Sequence, residues 1–351
     1  MIIARNYKSF LLSVWLMGIR ERKKDHVRIC LEEDVSAGIS AGFDAYRFVH
    51  DALPELSLDD IDISTTFLGR SVRAPILISA MTGGHEHSAT INANLAIAAQ
   101  RHGIPLCLGS MRVTVEHPET LASFKVREFA PDVPILANLG AVQLNHGYDV
   151  AACRRIIESV DADGLVLHLN PLQEALQSGG DTDFRNLVRK IHHLTKEIGY
   201  PVIVKEVGFG ISSLTAAKLK GSGIAYLDTA GTGGTSWAVV EGNRFDPSMG
   251  ETFRDWGVPT VHSLRACVKA GFSTIASGGV RSGLDVAKAI ALGADMAGMA
   301  LPLLGPATSS AGAVEWEVER FINECRITLL CSGCINLEKL KQARIVPTQG
   351  R

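Results

Sequence analysis

The chain is 351 residues long, with 46% hydrophobic but only 6% aromatic side chains, 34 glycines and a formal net charge of -2. That length holds one large α/β domain or two modest ones, and the near-neutral balance offers no basic face of the kind a nucleic-acid partner requires. Seven cysteines (Cys30, Cys107, Cys153, Cys267, Cys325, Cys331 and Cys334) lie in mostly apolar or helical contexts, a reduced, cytosolic pattern rather than a disulfide framework.

Residues 10–17 (FLLSVWLM) form an apolar run with no small-residue cleavage site, far too short to span a bilayer. Residues 1–17 are therefore expected to be a disordered extension or the result of a mis-assigned start, in preference to a signal peptide. Residues 18–35 are strongly charged, with Arg20, Arg22, Lys23, Lys24, His26 and Arg28 close together. Such a run is either a solvated arm or an anion-binding flap that folds over a site. A further amphipathic stretch at 43–71 completes an N-terminal flap and pre-barrel segment over residues 18–73.

Apolar, β-branched-rich runs of strand length then recur at 75–79, 105–108, 134–137, 164–167, 201–204, 225–227, 274–276 and 296–299. Helical patterns separate them at 89–102, 119–129, 149–160, 184–198, 212–222, 263–270 and 282–292. Apolar strands buried on both faces, alternating with amphipathic helices, predict a parallel sheet. Eight such units predict an α/β fold, a (β/α)8 TIM barrel over residues 74–351. A doubly wound open sheet is the alternative, but its glycine fingerprint would follow the first strand. Residues 314–330 predict a closing C-terminal helix, followed by a short tail. The lone CxxC at Cys331–Cys334 is read as helix-end packing rather than metal or redox chemistry.

In a barrel the residues just after each strand form the active face. Here those positions carry Ala80-Met81-Thr82-Gly83-Gly84, Gly109-Ser110-Met111-Arg112, Asn138, His168-Leu-Asn170-Pro-Leu-Gln173-Glu174, Lys205-Glu206 and Asp228. Each buried polar group needs a partner, so their concentration on one rim points to a ligand. Lys205 ends an apolar strand and either pairs with Asp228 or serves an electron-rich ligand. Arg112 suits capture of a phosphate or carboxylate, with a surface salt bridge as the plain alternative. His168 alone fits a satisfied strand-end histidine, and its polar neighbours favour a site. Glu174 is a single carboxylate, enough for Mg²⁺ that is also held by substrate phosphates. Gly278, Gly279, Arg281 and Gly283 read as a late phosphate cradle, where glycines let amides approach an anion at a helix start. Residues 231–257 are too long for an ordinary connection, and Trp237 near their start marks a candidate lid.

Together, Arg22-Lys23-Lys24-Asp25-His26, Ala80 to Gly84, Gly109 to Arg112, His168 to Glu174, Val204 to Gly208, the loop from Gly231 to Trp237 and Ser277 to Arg281 resemble the type 2 isopentenyl-diphosphate isomerases. The likeness runs from about Arg22 to the last barrel helices. It implies an FMN-dependent intramolecular isomerase that converts isopentenyl diphosphate to dimethylallyl diphosphate in isoprenoid synthesis, with reduced FMN as acid and base. The resemblance implies FMN contacts at Ala80, Met81, Thr82, Ser110, Asn138, Lys205 and Thr235. It puts the FMN phosphate on Gly278, Gly279 and Val280, with Ala300 and Leu301 closing the cradle. The diphosphate would be held by Arg22, Lys23, Ser110 and Arg112, the hydrocarbon would lie against Gln173, and Glu174 would hold Mg²⁺. His168, Gln173 and Lys205 are the implied catalytic side chains. NADPH as reductant, a cytoplasmic location and a homotetramer or homo-octamer are implied as well.

Two positions depart from that family's pattern. Met111 is expected to weaken a rim contact, and Ala230 to remove a hydroxyl near the flavin. The rival readings are an α-hydroxy acid oxidase or dehydrogenase, which needs a histidine base near the late strands, and a non-catalytic flavin-binding barrel.

Overall fold

The computed structural model describes residues 19–343 and 345–348. The expectations for residues 1–17 lie outside the described residues. Eight parallel strands form a closed barrel, as the alternating pattern predicts. They are β1 (Ile76–Ile78), β2 (Leu106–Cys107), β3 (Ile135–Gly140), β4 (Gly164–His168), β5 (Val202–Lys205), β6 (Tyr226–Asp228), β7 (Thr274–Ser277) and β8 (Met296–Met299). Hydrogen bonding follows chain order and closes through β8 against β1.

Side chains alternate across each strand, so one set fills the barrel and the other meets the helices. Leu77, Cys107, Leu136, Val166, Ile203, Ile275 and Met296 make the interior. Phe67 and Val72 join them from a hairpin of Thr65–Phe67 and Arg70–Val72, which immediately precedes β1 and so stoppers the N-terminal end. Phe67 is fully buried with its ring 5.0 Å from that of Tyr226. Burial of that ring contributes roughly 2–3 kcal/mol.

The main helices of the argument are α1 (Ile19–Glu32), α2 (Glu86–His102), α3 (Pro171–Leu176), α4 (Trp237–Phe245), α5 (Pro247–Thr252), α6 (Gly283–Ala291) and α7 (Ala311–Leu330). On α7 the buried positions Val314, Val318, Phe321, Cys325 and Leu329 recur at helical spacing and close the barrel against α2 and α6. Its end is tied by Cys334 N–H donating to Leu329 O, and both cysteines of the CxxC are free thiols. No described helix is long and apolar enough to cross a membrane.

The structure corrects four local expectations. The charged run is not a solvated arm: it is α1, whose Ile29 packs with Val35, Val239 and Val240. Residues 119–129 are not a helix. Arg112–Glu116 forms one turn, and Pro118, lacking an N–H, restarts the chain as a 3-10 segment over Pro118–Phe124. Residues 231–257, the candidate lid for which no helical pattern was read, carry α4 and α5, which touch at their glycines; a Cβ on Gly242 would sit 2.6 Å from Gly250 Cα. Gly283 serves packing rather than the phosphate cradle, because a Cβ there would meet Phe321 O of α7 at 2.1 Å.

Candidate active site

A cavity lies over the C-terminal ends of the strands and under α1. Apart from Gly283, every residue singled out from the sequence for FMN, diphosphate, metal or catalysis lines it. Parallel pairing explains part of this convergence, because Gly140, His168, Lys205 and Asp228 stand side by side on β3 to β6.

On the β7 and β8 side, Gly278 and Gly279 adopt left-handed φ of 97° and 72°. Among the described residues, the amides of Gly278, Gly279 and Val280 have no hydrogen-bond acceptor. Free amides at consecutive residues, with Gly234 close enough that its Cβ would lie 2.4 Å from Gly279 N, form a concave anion seat. Burial pushes the Arg281 guanidinium of this seat below its ordinary pKa, the state an anion would relieve. Ser79 Oγ is buried in the same cavity with no partner among the described residues. These features fit a phosphorylated cofactor such as FMN.

At the centre, Lys205 Nζ donates to the Glu206 carbonyl at 2.5 Å and forms no ion pair among the described residues. Asp228 does not take it: that carboxylate accepts from Ser277 Oγ at 2.5 Å and Ala230 N at 3.3 Å. An ammonium has three donors, so Lys205 retains donors for a ligand. The Glu206 carboxylate accepts the N–H groups of Val207, Gly208 and Phe209, and burial, outweighing them, lifts it to about 7. His168 Nδ1 lies 2.8 Å from Asn138 Oδ1. Asn138 sits inside β3, not after it, because β3 runs on to pair with the length of β4.

Toward the ends of β1 and β2, Arg22 and Lys23 reach in from α1. Lys23 Nζ donates to Ser110 O at 2.5 Å, and burial followed by repulsion from Arg22 lowers it to about 7. Burial also lowers Arg22, against the pull of Glu241 and Glu174. Arg112 donates from Nη1 to Asp181 Oδ2 at 2.5 Å and from Nε to Glu116 Oε1 at 3.0 Å.

Above β4, Asn170 Nδ2 donates to Glu174 Oε1 at 2.9 Å, and Asp181 N to Glu174 Oε2 at 2.7 Å. Gln173 Nε2 donates to Glu241 Oε1 at 3.1 Å. Glu241, which sequence reasoning missed, supports three side chains around the cavity. It is 1% exposed, lies 2.9 Å from His26 Nε2 and accepts Arg244 Nη1 at 3.0 Å. Burial opposes its charge, yet His26 and Arg244 hold the carboxyl down at about 2. The available signal was the i, i+4 spacing from Trp237, which places both on one helix face. Trp237 itself lines the cavity, edge-on to the His26 ring. Met111 is fully buried in the core, and its side chain is not among those that line the cavity. Ala230 does line the cavity. Among the described residues, no cluster of three histidine, cysteine or carboxylate side chains could hold a metal by itself.

The model of the FMN-dependent dehydrogenase family matches residues 30–166 and 182–347. An isopentenyl-diphosphate delta-isomerase from Nostoc sp. (strain PCC 7120) is 49% identical over 332 residues, covering 92% of this chain and 95% of its own. One from Synechococcus sp. (strain ATCC 27144) is 50% identical over 322 residues, covering 90% of this chain and 92% of its own. Among solved structures, a lactate oxidase of Pediococcus acidilactici superposes with a TM-score of 0.67 at 15% identity, covering 98% of this chain and 95% of its own, which shows a common fold. With relatives this close along nearly its whole length, and the cavity features described above, the chain belongs to the FMN-dependent, type 2 isopentenyl-diphosphate delta-isomerase family.

Proposed function

We propose that the protein converts isopentenyl diphosphate to dimethylallyl diphosphate. The observation that carries this is the separation of two anion seats in one cavity: unpartnered amides at Gly278 to Val280, and a cationic cluster of Arg22, Lys23 and Arg112. The first would take the phosphate of FMN and the second a diphosphate, leaving a short alkenyl tail between them.

Reduced FMN would supply the acid and base that move the double bond without net redox change. Ala80, Met81, Thr82, Ser110, Asn138, Thr235, Ala300 and Leu301 would complete its site. Lys205 would offer its free donors to an anionic flavin. His168 is held neutral by burial and by the cations Lys205 and Lys23, at about 3, so it would accept rather than carry charge. Gln173, fixed by Glu241, would lie against the hydrocarbon, and α1, whose Arg22, Lys23, His26, Val27 and Cys30 line the cavity, would exclude water. Glu174 would share Mg²⁺ with the diphosphate oxygens, since one carboxylate plus phosphates suffices for that ion. The histidines lining the cavity are His26 on α1 and His168 on β4, which speaks against an α-hydroxy acid oxidase with a base on the late strands.

NADPH as reductant and a cytoplasmic location complete the proposal. Assembly to a homotetramer or homo-octamer would draw on exposed apolar side chains such as Trp316 and Ile327 of α7, and light scattering tests it. The deciding experiment is an anaerobic assay with dithionite-reduced FMN and Mg²⁺. Conversion is expected, and Glu174→Gln is expected to lose most turnover with FMN still bound. A protein that binds no FMN, or turns over equally well without Mg²⁺, would contradict the reading.

A further inference from the structure

Asp181 lies on the connection after α3, outside every motif read from the sequence. Its contacts nonetheless join the two substrate-facing groups that the proposed reaction needs. Its Oδ2 accepts Arg112 Nη1 at 2.5 Å and Gln143 Nε2 at 2.9 Å, while Oδ1 faces His146 Nε2 at 3.5 Å. Its backbone N–H, through the other side of the residue, donates to Glu174 Oε2 at 2.7 Å. One residue therefore fixes an arginine presented after β2 and a carboxylate presented after β4.

The placement has an electrostatic reason. Arg22 and Arg112 repel one another across the cavity, and each loses solvation by partial burial. Asp181 is 17% exposed at the side chain and Arg112 25%, so their attraction is screened less than that of a surface pair. Glu116, the other partner of Arg112, is 43% exposed and one turn along the same short helix. It cannot tie that helix to another strand's connection. Asp181 does. The guanidinium has five donors, and the two carboxylates engage Nε and Nη1, so the remaining edge stays available to an anion in the cavity.

We propose that Asp181 is a positioning residue for the substrate diphosphate, holding Arg112 toward the cavity and locking it in register with Glu174. The inference rests on the isomerase reading, and it assigns Asp181 no contact with the reacting carbons. Truncating its side chain releases Arg112 but leaves the N–H bond to Glu174. The loss is therefore in anchoring the diphosphate, not in the chemical step.

The test uses the FMN-loaded enzyme and inorganic pyrophosphate with Mg²⁺ in a calorimetric titration, alongside steady-state kinetics. Asp181→Ala is expected to weaken pyrophosphate binding and raise KM by about tenfold, with kcat within about threefold and the bound-flavin spectrum unchanged. Asp181→Asn, which keeps the shape and one acceptor, is expected to lose less and covers the case that the alanine variant fails to fold. In an Arg112→Ala background, Asp181→Ala is expected to cost no more than about twofold further, because the two act through one contact. Pyrophosphate binding that stays at the wild-type level in both Asp181 variants overturns the proposal. A full additional loss in the Arg112→Ala background overturns it too. If the wild-type protein itself neither isomerises isopentenyl diphosphate nor binds pyrophosphate, it is the isomerase reading that falls.

Discussion

His168 Nδ1 and Asn138 Oδ1 stand 2.8 Å apart on adjacent strands, which assigns the imidazole proton to Nδ1 and turns a lone pair on Nε2 to the cavity. Burial, with Lys205 and Lys23 adding to it, lowers the group from 6.5 to about 3. His168 is therefore expected to show the neutral Nδ1–H form by nitrogen NMR from about pH 5 to 8. A titration near the ordinary histidine value would remove its role as a neutral acceptor.

Lys23 carries the opposite kind of prediction. Its folded pKa of about 7, down from 10.5, reflects burial and then Arg22, and a diphosphate would restore the charged form. Above about pH 7 the free enzyme must take up a proton to bind, so affinity falls as pH rises through that value. Titrations of pyrophosphate in buffers of different ionisation enthalpy measure the uptake. Lys23→Arg, permanently charged, is expected to abolish it.

Glu241 is expected to matter for stability as well as activity. Its folded carboxyl lies at about 2 against an ordinary 4.5, so its contribution is complete above 4.5 and is lost as pH falls toward 2. Glu241→Gln leaves Arg244, 3% exposed at the side chain, with Asp25 at 3.5 Å as its one carboxylate partner among the described residues. The expected cost is about 3 kcal/mol in urea unfolding, with a loss of turnover because Gln173 is released. A variant as stable as the wild type would refute this.

The glycine seat permits a sharper substitution. A Cβ on Gly278 would lie 2.2 Å from Gly231 O at a φ of +97°, a conformation that alanine resists. Gly278→Ala is expected to purify without bound flavin, read from its visible absorbance. Retention of full FMN would mean that the phosphate sits elsewhere.

How much of this was legible in the sequence depended on whether the signal was local. Strand runs, the closing helix on α7 and the polar strand ends are periodic or adjacent features, and they fell where the pattern put them. Glu241 was hidden because residues 231–257 begin with glycines and read as a loop, although Gly242 and Gly250 are contact points between α4 and α5. Asp181 was hidden because its partners lie 69 and 38 positions away, at Arg112 and Gln143, and no spacing rule spans such distances. Gly283 misled for a related reason: a glycine after a strand suits an anion, and the same absence of Cβ suits a helix crossing.

Phe67 at the base of the barrel has a kinetic consequence. With that end stoppered, traffic uses the face beneath α1, and whatever lies deepest is trapped by whatever lies above it. On the proposed reading, a cofactor seated on Gly278 to Val280 must load first and cannot exchange while a diphosphate fills the mouth. Substrate should therefore slow flavin release, making the protein a well that is filled in one order and emptied in the reverse.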